Sequence, residues 1–286
     1  MHGGCWHEQS KLMSIVYQGE PGAYSHLACV EHYPEFRPEP CPTFAKAFAA
    51  VKGGTAQLAM IPVENSLAGR VSDIYHLLPG GGLHIIAEHF IPIRHQLLGV
   101  KGARLEDIEV VRSHAMALGQ VRERLASLGI GAVVDADTAG AARRVAEAGD
   151  KSVGAVASRL AAETYRLAIL AEDIEDAGHN TTRFLVLARE PVELPLGEPC
   201  VTSFVFRVRN LPAALYKALG GFATNGINMT KLESYMEGGS FTATQFYADV
   251  EAHPESEAMK HAMEELEFFA EVRMLGTYRA DKSRHS

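Results

Sequence analysis

The chain has 286 residues, 47% of them hydrophobic and 22% charged, with a formal charge of −8. That composition excludes a disordered chain, and the length allows one or two domains with cores of their own. The acidic balance removes the electrostatic term behind binding to nucleic acid or an anionic membrane, so neither is expected as a partner.

Residues 1–13 hold no apolar run of seven or more, so they read as a disordered extension and not as a signal peptide. Beyond them, short apolar runs alternate with helical periodicities, the pattern of an α/β sheet covered by helices. A strand is predicted over 14–17, a turn over 19–25, and a helix through 26–31. Thr43 caps a helix carrying Phe44, Phe48 and Val51 on one face, and a buried strand follows over 58–63. Further strands are predicted over 97–100 and 108–111. Ser113 then reads as the cap of a helix with Leu118, Val121, Leu125 and Leu128 on one face, ended by Gly129. Strand 132–134, helix 138–147, strand 153–157, helix 158–167 and strand 184–188 complete the series.

The stretch 190–199 holds Pro191, Pro195, Gly197 and Pro199 and reads as a linker. After it, Phe204, Phe206 and Val208 alternate with Ser203, Val205, Arg207 and Arg209, which predicts a strand with one buried face. Pro212 opens a helix with Leu215, Leu219 and Phe222 inward. Strands over 227–235 and 241–250 around a Gly238-Gly239 turn, a helix over 255–269 with Met259, Ala262, Met263 and Leu266 inward, and a strand over 272–278 finish the chain. The order β-α-β-β-α-β is ferredoxin-like.

Four cysteines stand apart with no C-x-x-C pair, which suits a reducing, cytoplasmic compartment. His84, His89 and His95 are spaced by five and six, not as a helical metal pair, and no metal or cofactor is expected. Phosphate loops, dinucleotide turns and nucleophile elbows are absent from the sequence. What remains is small polar residues at turns between strands and helices. Each alone reads as a helix cap. The cluster Asn180-Thr181-Thr182-Arg183-Phe184 stands out because a guanidinium at a strand start reaches a carboxylate in bidentate fashion.

Taken in order, Gly19-Glu20-Pro21-Gly22-Ala23-Tyr24-Ser25, Ile61-Pro62-Val63-Glu64-Asn65-Ser66 with Gly69 and Val71, Ser113-His114 with Gln120, and Asn180-Thr181-Thr182-Arg183-Phe184 resemble prephenate dehydratase. The tail resembles the ACT regulatory domain joined to that enzyme, through Asn210-Leu211-Pro212-Ala213-Ala214-Leu215 and Gly226-Ile227-Asn228-Met229-Thr230-Lys231-Leu232-Glu233-Ser234. The resemblance implies a two-lobed, periplasmic-binding-protein-like catalytic domain over 14–190, a linker over 191–200 and an ACT domain over 201–280. It implies the decarboxylative dehydration of prephenate to phenylpyruvate in phenylalanine biosynthesis. Thr182, Arg183 and Phe184 would be catalytic: Thr182 at the leaving hydroxyl, Arg183 on a substrate carboxylate, Phe184 as an apolar wall. Arg183 has a second reading as an interlobe ion pair. Asn65, Ser113, Gln120 and Thr181 would bind substrate, with Ser113 and Gln120 on one helix face. Leu211, Pro212, Ala213, Ala214, Leu215, Asn228 and Met229 would hold the effector L-phenylalanine, and the chain would self-associate as a dimer or tetramer.

Two segments depart from the family pattern: Ala115-Met116 after the Ser-His pair, and Tyr235-Met236 where many relatives carry arginine and proline. Arogenate dehydratase is a chemically adjacent alternative, because nothing in the sequence separates a keto from an amino side chain. A noncatalytic amino-acid sensor is the alternative of another class.

Overall fold

The computed structural model describes residues 13–209, 211–236 and 243–285. Within them the chain forms three sheets. The first lobe begins with β1 (Ser14–Gln18), α1 (Tyr24–His32), β2 (Arg37–Cys41), α2 (Phe44–Lys52), β3 (Leu58–Asn65), β4 (Gly69–Arg70), α3 (Ser72–Gly81) and β5 (His84–Pro92). β1 lies between parallel β2 and β3, with Ile15 opposite Pro38 and Leu58. Both faces of β1 and β3 are covered, which is why these strands read as unbroken apolar runs. Thr43 caps α2 as expected, its hydroxyl accepting from the Lys46 N–H at 3.2 Å. β2 and α3 escape the sequence pattern: β2 is an edge strand carrying Pro38 and Pro40, and α3 carries Pro79 and ends at glycines.

The second lobe comprises β6 (Gln96–Gly99), β7 (Val110–His114), α4 (Ala115–Gln120), α5 (Arg122–Leu128), β8 (Gly131–Asp135), α6 (Thr138–Ala148), β9 (Val153–Ala157), α7 (Arg159–Tyr165) and β10 (Ala168–Ala171). Its strand order is β10-β6-β9-β7-β8. The single helix expected after Ser113 is two, broken at Val121. The Asp176 carboxylate caps the second, accepting from the N–H groups of Glu123 and Arg124 at 3.0 Å each. Then β11 (Thr181–Ala188) returns to the first lobe and inserts antiparallel between β3 and β5. It starts three residues earlier than its apolar run predicts.

The C-terminal part is β12 (Cys200–Val208), α8 (Ala214–Thr224), β13 (Met229–Met236), β14 (Ala243–Val250), α9 (Glu257–Phe269) and β15 (Ala270–Arg279), in the antiparallel order β13-β14-β12-β15. This is the expected ferredoxin-like βαββαβ arrangement. One face packs on α8 and α9 through Phe204, Phe206, Phe222, Met259 and Leu266. The alternation in β12 predicts solvent on the other face, and that expectation is corrected. Val201, Val205, Tyr247 and Tyr278 there join the core of the first lobe. β15 runs so close to β5 that a Cβ at Gly276 would collide with the Ile85 carbonyl. The α8 helix starts at Ala214, two residues after Pro212. The Gly238-Gly239 turn, Asn210 and residues 1–12 lie outside the described residues. Among the described residues no helix is long and apolar enough to cross a membrane.

Candidate active site

Two crossovers join the lobes, residues 93–95 going out and 172–180 coming back. They are tied to each other: Ile93 N–H donates to Asn180 O at 2.8 Å, Ile174 N–H to His95 O at 2.8 Å, and His95 N–H to the Glu175 carboxylate at 2.9 Å. The strand register sets Thr182 opposite Asn65 on β3. There the Asn65 amide donates to Thr182 Oγ1 at 2.9 Å and to Asn180 Oδ1 at 2.7 Å. The Leu67 and Ala68 N–H groups donate to Asn65 Oδ1, so the local turn fixes which way this amide points. Asn180, buried, donates to Gln120 Oε1 at 2.8 Å, and His95 Nε2 lies 2.8 Å from the same oxygen. The other ring nitrogen of His95 is 2.8 Å from the Tyr24 hydroxyl at the start of α1.

This chain of uncharged groups runs from one lobe to the other. The loop before α1 is clamped to the second lobe as well: Ser158 Oγ donates to Gly22 O at 2.6 Å and the Tyr165 hydroxyl to Pro21 O at 2.7 Å. Gly22 is required here, since its φ is +88° and a Cβ would sit 2.7 Å from Ala161 Cα. Burial pulls His95 below the ordinary histidine range, against the opposing hydrogen bond to Gln120, so the imidazole is neutral. Asn65 has two amide protons, and its two shortest bonds use both. Thr182 Oγ1 therefore accepts, and its own proton is left for an oxygen outside the chain. The arrangement can donate to a developing negative charge on oxygen without moving a charge of its own.

Asn65, Gln120 and Thr182 are thus brought together, and Asn180, Tyr24 and His95 join them. The last three were not among the expected site residues. Asn180 and Tyr24 lie inside quoted motifs, whereas His95 is one of the scattered histidines and carries no local signal. Thr181 sits beside the chain through its backbone, its N–H donating to Ser66 Oγ at 3.0 Å and its carbonyl accepting from Ser66 N–H at 2.8 Å.

Three expectations are corrected. Arg183 points to the opposite face of β11, because successive strand residues alternate. Its guanidinium is 3% exposed and meets Asp249 at 2.6 Å, Glu88 at 2.8 Å, Glu64 at 3.2 Å and the Tyr278 hydroxyl at 3.0 Å. Neither a substrate clamp nor an interlobe pair, it joins the first lobe to the C-terminal sheet. Burial alone would raise the Asp249 carboxyl, but Arg183 and the hydroxyls of Ser203 and Tyr247 hold it below the ordinary range. Phe184 is not a site wall: it is buried under α1 with Ile15, Tyr17, Met60 and Ile91. Ser113 is in β7, fully buried, with its proton on Val156 O at 2.6 Å, so it neither caps a helix nor shares one with Gln120. His114 provides the cap instead.

The expected effector residues fall on two segments. Leu211, Pro212 and Ala213 are exposed, Ala213 holds a left-handed φ of +61°, and Ala214 and Leu215 are half-buried at the start of α8. Asn228 is exposed and donates to the Glu251 carboxylate at 2.7 Å, while Met229 opens β13 against the C-terminal core. Among the described residues no group of three or more acidic, histidine or cysteine side chains could hold a metal ion.

Comparison with known proteins adds the following. A family model described as prephenate dehydratase matches residues 15–192. A bifunctional N-acyl-homoserine lactone acylase/prephenate dehydratase of Komagataeibacter europaeus is 53% identical over 272 residues, covering 94% of this chain and 97% of that protein. The arogenate dehydratase/prephenate dehydratase 1, chloroplastic, of Arabidopsis thaliana is 41% identical, covering 94% of this chain and 73% of that protein. Among solved structures, prephenate dehydratase from Arthrobacter aurescens in complex with L-Phe superposes with a TM-score of 0.86 at 26% identity, covering 94% of this chain and 90% of that one.

Proposed function

Because the chain belongs to the prephenate dehydratase family, a family of carbon–oxygen lyases, we propose that it converts prephenate to phenylpyruvate, carbon dioxide and water between its two lobes. The observation that carries this reading is the Asn65 to Thr182 hydrogen bond, in which the threonine oxygen accepts and its own proton stays available to donate. In the reaction the ring carboxylate departs as carbon dioxide, its bonding electrons move into the ring, and the ring C–O bond breaks as the ring becomes aromatic. Charge gathers on the leaving oxygen, which departs as hydroxide and takes a proton from solvent to become water. Thr182 donates a hydrogen bond to it, and Asn65 polarises that hydroxyl without taking its proton. A threonine is a poor acid, so the contribution is positioning and electrostatic stabilisation, not full proton transfer. The amide N–H groups of Gln120 are the donors left for a substrate carboxylate, since Arg183 is committed elsewhere.

A second reading is favoured by the Arabidopsis relative, whose name gives arogenate dehydratase first. Arogenate differs at the side chain and not at the leaving groups, so the same chain would serve. The acylase activity in the name of the Komagataeibacter relative receives less support here. Acyl transfer to a hydroxyl needs a base beside it, and Thr182 meets an amide donor.

L-phenylalanine is proposed as the effector, bound by the C-terminal domain over 201–280 at Leu211, Pro212, Ala213, Ala214, Leu215, Asn228 and Met229, in a chain that self-associates. The Arthrobacter structure, named as a complex with L-Phe, supports this. A reducing cytosol is proposed as its compartment, supported by free Cys29, Cys41 and Cys200. Phenylpyruvate formation from prephenate, with arogenate as a parallel substrate, tests the activity. Turnover of arogenate alone would select the second reading, and turnover of neither would overturn both.

A further inference from the structure

Resting on the dehydratase reading, we propose that His95 is a positioning residue that aims the Gln120 amide into the site, and that its tautomer is imposed by backbone N–H groups at residues 67 and 68. Leu67 and Ala68 donate to Asn65 Oδ1, at 3.0 and 2.8 Å, and a backbone N–H cannot be turned round. The other end of that amide is therefore Nδ2, which makes the Asn180 atom 2.7 Å away an acceptor. Asn180 then presents Nδ2 to Gln120, so the Gln120 atom 2.8 Å away is Oε1. His95 Nε2, 2.8 Å from that oxygen, must carry a proton.

Reversing Asn65 or Asn180 alone would set two donors or two acceptors face to face at both of its contacts, and reversing Gln120 alone would set its N–H groups against those of Asn180. Gln120 Oε1 is held by two donors, from Asn180 and His95, so its N–H groups point away from both. His95 lies on the outgoing crossover, 2% exposed, with its backbone tied to the returning one and its ring touching Tyr24 of the first lobe and Gln120 of the second. Its place on the hinge means that one ring sets Gln120 against both lobes at once. The role needs an N–H at Nε2 and not a titration: an imidazolium would keep that N–H and give a second one to Tyr24, whose proton would go to Arg94 O at 2.9 Å. Tyr24, Glu175 and Arg94 are the ionisable neighbours around it.

Three variants separate positioning from packing. The end of a glutamine side chain superposes on imidazole Nε2, whereas asparagine reaches only Nδ1. His95→Gln is expected to keep kcat/KM within about 3-fold, while His95→Asn and His95→Leu lose about 10- to 100-fold in kcat/KM, chiefly through a raised KM, because Gln120 holds a carboxylate already present in the ground state. In a Gln120→Leu background, His95→Leu is expected to add no further loss, because both changes act through one amide. Nitrogen-15 NMR of the imidazole at about pH 8 is expected to place the proton on Nε2 in the wild-type protein. Wild-type kcat/KM in His95→Leu, equal losses in all three variants, additive losses with Gln120→Leu, or a proton on Nδ1 would each overturn the proposal. If the wild type turns over neither prephenate nor arogenate, the dehydratase reading falls, and the NMR experiment alone then decides the tautomer.

Discussion

Thr182 and Arg183 are neighbours in sequence and belong to different parts of the molecule. Thr182→Ala is expected to lower kcat by about 100-fold or more with KM nearly unchanged, because its hydrogen bond strengthens as charge gathers on the leaving oxygen. Steady-state kinetics check this, and near-normal kcat would remove Thr182 from the chemistry. Arg183 reverses the expectation that its neighbourhood suggests. Arg183→Met leaves the fully buried Asp249 carboxylate without its near cation and the buried Glu88 with Arg284 alone, and is expected to cost about 3 to 5 kcal/mol of stability. Arg183→Lys is expected to lose part of that stability, since one ammonium cannot span the same partners, while KM stays within about 2-fold. Urea denaturation beside kinetics separates the roles: a raised KM at unchanged stability would return Arg183 to the substrate.

At the scale of elements, β11 organises the site. It lies between β3 and β5 with Thr182 opposite both Asn65 and Ile91. The apolar run 184–188 announces this strand. Its first three residues, Thr181 to Arg183, do not read as strand, because their own side chains are polar and serve the amide chain and the buried ion pairs instead of an apolar core. Polar residues likewise hide β5, whose Glu88 is covered by the C-terminal part and whose His89 lies against His32 and Tyr33 of the first lobe. Alternation in β12 was legible, and which faces are buried was not, because the covering lobe lies more than a hundred residues away in sequence. Motif spacing brought Asn65, Gln120 and Thr182 to one place, whereas His95 is positioned by a hinge that no local pattern encodes. β5 also carries a pH dependence. His89 stacks on His32 at 3.9 Å between ring centres, near the Tyr33 hydroxyl and the Asp281 carboxylate. Burial, with repulsion from His32, lowers its pKa from 6.5 to about 4. Below pH 6.5 the unfolded chain takes a proton that the native state refuses, so stability falls as pH drops from about 6.5 to about 4, by up to about 3 kcal/mol. His89→Gln should flatten that fall in urea titrations run across this range. An unchanged slope would show that another group titrates.

Across the whole molecule, a band of charge joins the first lobe to the C-terminal sheet. Lys231 meets Glu64 at 2.5 Å, Arg70 meets Glu233 at 3.1 Å, and Arg183 meets Asp249. From the chain's end Arg284 reaches both partners of interest: its guanidinium holds the Glu88 carboxylate at 2.6 and 2.8 Å and donates to Thr230 Oγ1 at 2.9 Å. Glu88 in turn holds Arg183, the residue next to Thr182. Thr230 follows Asn228 and Met229, so the proposed effector segment is joined by consecutive contacts to the strand that carries Thr182. A cavity of about 260 Å³ lies along this route, with Asn228, Thr230, Lys231, Arg183 and Arg284 in its wall. Such a route transmits binding only if the effector favours one arrangement of the interface over another. Coupling of about 1 to 3 kcal/mol would give roughly 5- to 150-fold inhibition by L-phenylalanine, and a substrate analogue must weaken phenylalanine binding by the same factor. Arg284→Gln cuts the link without touching the amide chain. Its expected result is kcat within about 2-fold of wild type when phenylalanine is absent, phenylalanine still bound in titration calorimetry, and inhibition reduced to a few-fold at saturation. Retained inhibition of wild-type strength would show that the signal crosses the interface elsewhere, and loss of phenylalanine binding itself would place Arg284 in the effector site instead of on the path from it.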